Sequence, residues 1–167
     1  MLAKDGIYIR DFPRRIQTAP IVPGGRADIM VRCLKPSMTY EIRCSSGMLA
    51  TIRINAGPLV PSTDLESWAL DYPSYLADLR TTDATAGCAC KTELGNQGVN
   101  GEAFEAEKIL HQTYLDAIVE RVLKARNHPY HQHVYPFQLV DGFNDQTGYE
   151  QVGDWHDTIQ GNGVIRY

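Results

Sequence analysis

Thr39-Tyr40-Glu41-Ile42-Arg43-Cys44 alternates polar and apolar side chains residue by residue, the period-two pattern of a half-buried β-strand. The same alternation recurs in Leu49-Ala50-Thr51-Ile52-Arg53-Ile54 and, upstream, in Ala27-Asp28-Ile29-Met30-Val31-Arg32-Cys33. Between and before these runs stand turn signals. Ile7-Tyr8-Ile9 follows Asp5-Gly6, Arg15 to Pro20 reads as a short extended run, and Pro23-Gly24-Gly25 can only be a tight turn. Strands at this spacing, separated by turn residues, predict an antiparallel β-sandwich.

Working outward, the texture changes after Pro58. Pro58, Pro61 and Pro73 interrupt strand pairing, and Asp64 to Ala69 is expected to make one or two helical turns capped by Ser62 or Thr63. Cys88 to Gly98 is small and polar and is read as connection, not core. Strand texture resumes with the Asn100-Gly101 hairpin signal. Tyr114 to Leu123 has the length and propensity of a helix, but the β-branched content of Ile118 to Leu123 favours a strand. Further strands are expected at Phe137-Gln138-Leu139-Val140, around Val152 to Ile159, and at Val164 to Tyr167.

Composition excludes several classes. With 43% hydrophobic and 22% charged residues in 167, the chain is an ordinary globular sequence. A net charge of −4, with Arg14-Arg15 and Arg121, Lys124 and Arg126 scattered among apolar residues, offers no basic surface for nucleic acid. No apolar run is long enough for a membrane span. The N-terminus lacks a signal layout, which leaves the compartment open. Four cysteines, Cys33, Cys44, Cys88 and Cys90, are read as small buried or disulfide-bonded residues. Cys33 and Cys44 flank an expected hairpin and could pair, whereas the single-residue spacing of Cys88 and Cys90 matches no Cys-x-x-Cys site.

The chemistry lies in His128-Pro129-Tyr130-His131-Gln132-His133, where three of five histidines fall within six residues. Imidazoles are costly to bury unpaired, and Pro136-Phe137-Gln138-Leu139-Val140 beside them is core-like, so the cluster reads as a metal site. On an extended strand, His131 and His133 share one face with Cα atoms roughly 6.5–7 Å apart. His128 stands an odd step before them, with Pro129 fixing φ between, and should point to a second metal. By the same parity Gln132 and Tyr135 face away, and Phe137 and Leu139 pack beneath. Imidazole suits copper, zinc, iron and nickel, so spacing alone does not choose the ion. Arg26 and Asp28 are read as a structural pair or solvated strand edge, and Trp155 as a core aromatic. Asp157 is read either as hydrogen-bonding a ligand histidine or as a strand-edge residue. His111 and His156 are taken as surface or satisfied histidines.

The stretch from His128 through Val134-Tyr135-Pro136-Phe137-Gln138 resembles the first copper motif in the last cupredoxin domain of multicopper (laccase-like) oxidases, His-Pro-x-His-x-His before an apolar strand. Pro23-Gly24-Gly25-Arg26-Ala27-Asp28 is similar to a signature near the end of that family's middle domain. Val99-Asn100-Gly101-Glu102-Ala103-Phe104 resembles the start of its last domain. Trp155-His156-Asp157-Thr158 and Ile165-Arg166-Tyr167 resemble the strands that follow the motif. Val134-Tyr135 stand where many laccases carry Gly-His.

The resemblance implies an all-β, cupredoxin-like Greek-key β-sandwich of two incomplete domains. Residues 1–61 would be the C-terminal part of a middle cupredoxin domain, 62–96 an interdomain linker, and 97–167 the N-terminal part of the copper-binding domain. It also implies copper: type 1 through His128, and the type 2/type 3 trinuclear cluster through His131 and His133. The whole protein would oxidise a small-molecule or metal-ion reductant in one-electron steps and reduce dioxygen to water. The family's His-Cys-His motif would lie just beyond Tyr167, so the expectation is that this chain alone does not turn over. The alternative is a non-catalytic copper- or zinc-binding β-sandwich module. A metal-dependent hydrolase would need a parallel α/β barrel, which the antiparallel strand texture opposes.

Overall fold

In the computed structural model the described residues are 1–58, 61, 64–67, 69–143 and 146–167. They form an all-β chain, consistent with a cupredoxin-like β-sandwich, whose single helical element is a 3₁₀ turn at Ser74–Leu76. Asp64–Ser67 and Ala69 are not helical, and the expected caps Ser62 and Thr63 lie outside the described residues. The helical turn forms instead just after Pro73, whose φ of −59° suits a helix start.

The chain divides into two compact units, Met30–Glu66 on the one hand and Met1–Ile29 with Ser67–Tyr167 on the other. The smaller unit contains the antiparallel hairpin expected from its alternation, Thr39–Cys44 paired with Gly47–Arg53. Its alternation does not produce a buried face: Ile42, Met48 and Leu49 are all exposed. A lone two-stranded ribbon has no second layer of its own to cover either side. Cys33 and Cys44 are free thiols, and Cys44 sits at the turn end of the hairpin opposite Gly47.

In the larger unit, β1 (Ala3–Lys4), β2 (Ile7–Tyr8) and β3 (Ala27–Asp28) form a three-stranded sheet in the order β2-β1-β3. The strand expected over Ala27 to Cys33 thus ends at Asp28, because its partner β1 is only two residues long and the ladder stops with it. Arg15 to Pro20 forms no strand, but the Pro23-Gly24-Gly25 turn is present, with Gly24 at φ +86° and Gly25 N–H donating to Val22 O.

With the hairpin strands counted as β4 and β5, a six-stranded sheet follows. It consists of β6 (Ala89–Gly95), β7 (Gly98–Val99), β8 (Glu120–His131), β9 (Phe137–Asp141), β10 (Trp155–His156) and β11 (Thr158–Arg166), in the order β10-β9-β11-β8-β6-β7. β8 realises the strand reading of Ile118 to Leu123. Its inward residues Leu123 and Ala125 join Phe137, Leu139, Phe143, Ile159 and Ile165 in one buried cluster, and Val122, Lys124 and Arg126 face out. β6 corrects the reading of Cys88 to Gly98 as mere connection. It runs parallel to β8, with Cys90 opposite Arg121 and Thr92 opposite Leu123, and Thr92 is buried. The Asn100-Gly101 turn has φ +56° and +79°, the geometry that prefers these two residues, and the backbones of Val99 and Glu102 bond across it.

Packing leaves no slack where β11 crosses the core. A Cβ at Gly163 would stand 2.2 Å from the buried Phe143 ring and 2.4 Å from Asp141 O. Gly163→Ala should therefore cost about 1–3 kcal/mol through overpacking. Urea denaturation reads this directly, and a change below about 0.5 kcal/mol, ordinary for an exposed site, would contradict the packing.

Candidate metal centre

β8 and β11 pair in register from Glu120↔Arg166 to Ala125↔Gly161, and again at Tyr130↔Ile159 and His131↔Thr158. Between those blocks, Arg126, Asn127, His128 and Pro129 oppose the single residue Gln160. His128 rides on this bulge, exposed, with its Nδ1 2.7 Å from Pro129 O. A bulge re-aims side chains, so His128 is set apart from His131 by the bulge and not by strand parity.

His131 is the last residue of β8, and the extended alternation stops there. Val134 takes φ +73° while Tyr135 N–H donates to His133 O at 2.9 Å, a three-residue γ-turn that a β-branched residue adopts only under strain. The expected parity beyond His131 is therefore corrected. Gln132 and Tyr135 do not face away but line the same pocket as His131 and His133, and Gln132 Nε2 donates to Tyr135 O. The two imidazoles still meet, with ring centroids 5.0 Å apart. Their pocket, about 470 Å³, is completed by Asp5, Ile7, Tyr75 and Asp157. Phe137 and Leu139 are fully buried, as expected.

Behind His131 lies a polar shell. Its Nδ1 is 3.0 Å from Asp157 O and 2.9 Å from Thr158 Oγ1, and Asp157 Oδ1 stands at 3.6 Å. The Asp157 carboxylate is held by the guanidinium of Arg26. Arg26, read as paired with Asp28 or as a solvated strand edge, is half-exposed and reaches across to Asp157 and to Asp5, a long-range pairing that spacing cannot express. His111 is exposed, and His156 is buried and satisfied, as read. His156 Nε2 lies 3.2 Å from Lys4 Nζ and its Nδ1 3.4 Å from Asp5 Oδ2, with the ring stacked on Phe137. Since an ammonium only donates, Nε2 accepts and Nδ1 carries the proton. Burial first, and the neighbouring Lys4 charge after it, hold this imidazole below its ordinary pKa against the opposing pull of Asp5. Trp155 is a core aromatic, its indole N–H buried with no hydrogen-bond partner among the described residues.

The donor set fits a metal in part. Two imidazoles, one with Nδ1 already engaged, share one pocket open to solvent, and such pairs suit copper or zinc. Among the described residues no group of three or more His, Cys, Asp or Glu is placed to hold an ion. His128 is not gathered with the other two, and the Asp5 and Asp157 carboxylates are committed to Arg26 and to backbone amides. Lys4 and Asp5 escaped the sequence reading, and Thr158 entered it only as part of the family-like Trp155-His156-Asp157-Thr158 strand.

No family model matches the chain, and neither does any curated protein. Among solved structures, a multi-copper oxidase from Pediococcus acidilactici is similar, with a TM-score of 0.43 and 22% identity over 79% of this chain. The chain spans 29% of the length of that oxidase.

Proposed function

We propose that this chain supplies imidazole ligands to copper in an oxidoreductase of the multicopper oxidase type. His131 and His133 would serve the type 2/type 3 cluster and His128 the separate type 1 site. The observation that supports this best is the meeting of the His131 and His133 rings at 5.0 Å on one pocket wall, with His128 lifted away on a bulge. Copper, when bound, supplies one-electron chemistry between a small-molecule or metal-ion reductant and dioxygen. The chain's own part is to present ring nitrogens, to fix one ring through Asp157 and Thr158, and to back the pair with the apolar layer of Phe137 and Leu139. In this reading residues 1–61 belong to a middle cupredoxin domain and 97–167 to the copper-binding one, and 62–96 lie between them, with β6 entering the sheet of the latter. The contacts of Lys4, Asp5, Arg14 and Arg26 with Asp154 to Thr158 would then join the two. A second reading, a non-catalytic copper- or zinc-binding module, draws on the openness of the pair, with the His131 side chain 47% exposed.

Copper(II) titration of the chain, followed by electron paramagnetic resonance, should show weak imidazole ligation and no blue thiolate absorption. His131→Ala with His133→Ala should abolish the signal, whereas His128→Ala should leave it in place. Binding that survives the double substitution would sink the assignment. An intense blue band in a longer form of the protein, one that includes a His-Cys-His segment, would decide for the oxidase over the module.

A further inference from the structure

We infer that Arg26, Asp157 and Thr158, tied together by Asp5, are positioning residues that hold His131 in the tautomer with its proton on Nδ1 and its lone pair on Nε2. Donor counting leads there. Thr158 Oγ1 donates its only proton to Asp157 Oδ1 at 2.7 Å, so toward His131 Nδ1, at 2.9 Å, it can only accept. The second partner of Nδ1 is the Asp157 carbonyl oxygen at 3.0 Å, which can never donate. Both partners therefore require a proton on Nδ1, and the hydrogen bond at one ring nitrogen decides the state of the other.

What keeps those acceptors in place is anchored far away in sequence. Asp5, its side chain 2% exposed, accepts from the backbone N–H of Asp157 at 3.1 Å and of Thr158 at 3.2 Å through Oδ2, and from Arg26 N–H at 2.9 Å through Oδ1. The Arg26 guanidinium then grips the Asp157 carboxylate and also reaches Asp5 O at 3.3 Å. The Asp5-Gly6 turn, Arg26 and the start of β11 are thus stitched into one block behind a single imidazole. That block leaves Nε2 as the ligating atom before any ion arrives, which removes a tautomer change from binding. Only the word "ligating" rests on the copper reading; the tautomer does not.

The test is long-range proton–nitrogen correlation NMR on ¹⁵N-labelled chain at about pH 8, where an ordinary imidazole is neutral, with His131→Gln to assign the signal. The expected pattern is Nδ1–H for His131; a dominant Nε2–H pattern overturns the inference whether or not copper binds. Thr158→Val keeps shape while removing the hydroxyl, and should raise the Nε2–H population and weaken copper(II) binding about tenfold. Thr158→Ser should restore both. Arg26→Gln, at a half-exposed side chain, should shift the tautomer in the same direction as Thr158→Val by a smaller amount. Wild-type tautomer ratios in both Thr158→Val and Arg26→Gln would overturn the positioning role. Absence of any copper site, with the tautomer as expected, would instead count against the proposed function alone.

Discussion

Replacing Asp154 by Ala is expected to remove roughly 3–5 kcal/mol of folding stability, the cost of stranding buried charge. Asp154 has a 2% exposed side chain and compensates two cations at once. Its Oδ2 accepts from Lys4 Nζ at 2.7 Å and from Arg14 Nη1 at 2.8 Å, and its Oδ1 from Arg14 Nη2 at 2.7 Å. The Gln151 backbone N–H adds a fourth bond at 2.9 Å. Lys4 and Arg14 are themselves 1% and 6% exposed. Without the carboxylate, Arg14 retains Asp11, whereas Lys4 is left with the Tyr149 ring, 4.8 Å from its ammonium, the lone pair of His156 and the weaker pull of Glu150. Burial already pulls the Lys4 pKa down against the pull of Asp154, so the Ala variant would relieve part of the cost by releasing the Lys4 proton. Lys4→Met should cost less than Asp154→Ala, because Asp154 then still has Arg14. Urea unfolding of the two variants orders them; an Asp154→Ala loss below about 1 kcal/mol, the range of an exposed pair, would show that the cluster is not closed to water.

How much of this was legible follows the range of each interaction. Strands whose partners are near in sequence announced themselves: Thr39–Cys44 with Gly47–Arg53, and the Asn100-Gly101 turn. β8 was readable from its β-branched stretch and the histidines at its end. β6 was missed although Cys90, Thr92 and Leu94 do alternate with Lys91 and Glu93, because small and hydroxyl side chains give a weak apolar signal. Its partner is a parallel strand some thirty residues on. The histidine segment was found by clustering, but parity beyond His131 failed at Val134, whose positive φ no β-branched residue would advertise. The block behind His131 was legible only at Asp157, for a different reason. Asp5, Arg26, His156 and Thr158 are individually unremarkable, and what joins them are bonds across 130 residues and more.

Acid should loosen that block in two stages, and the first belongs to His156. Its folded pKa is depressed, chiefly by burial and then by Lys4. The unfolded chain therefore binds this proton first as the pH drops below the ordinary value near 6.5, so stability is complete above that pH and falls below it. The slope for one proton is at most about 1.4 kcal/mol per pH unit, and it continues until the folded pKa is reached. His111, also lowered by burial and by Arg121, acts with the same sign from an exposed position. The second stage is Asp5. Burial acts to raise its carboxyl, but the bond from His156 and the amides of Arg26 and Asp157 outweigh it and hold it at about 2. Its contribution is present above the ordinary carboxylate value near 3.8 and is lost as the pH falls toward 2. Urea denaturation in steps from pH 7.5 to about pH 2.5 should therefore show a decline that begins near 6.5, well above any carboxylate, and a second below 3.8. His156→Gln should flatten that upper portion and leave the lower one, and His111→Gln should change it little. A flat wild-type profile between pH 6.5 and 5, or an unchanged slope in His156→Gln, would mean that the buried imidazole accepts its proton in place. Burial and Lys4 would then not enforce its neutral form.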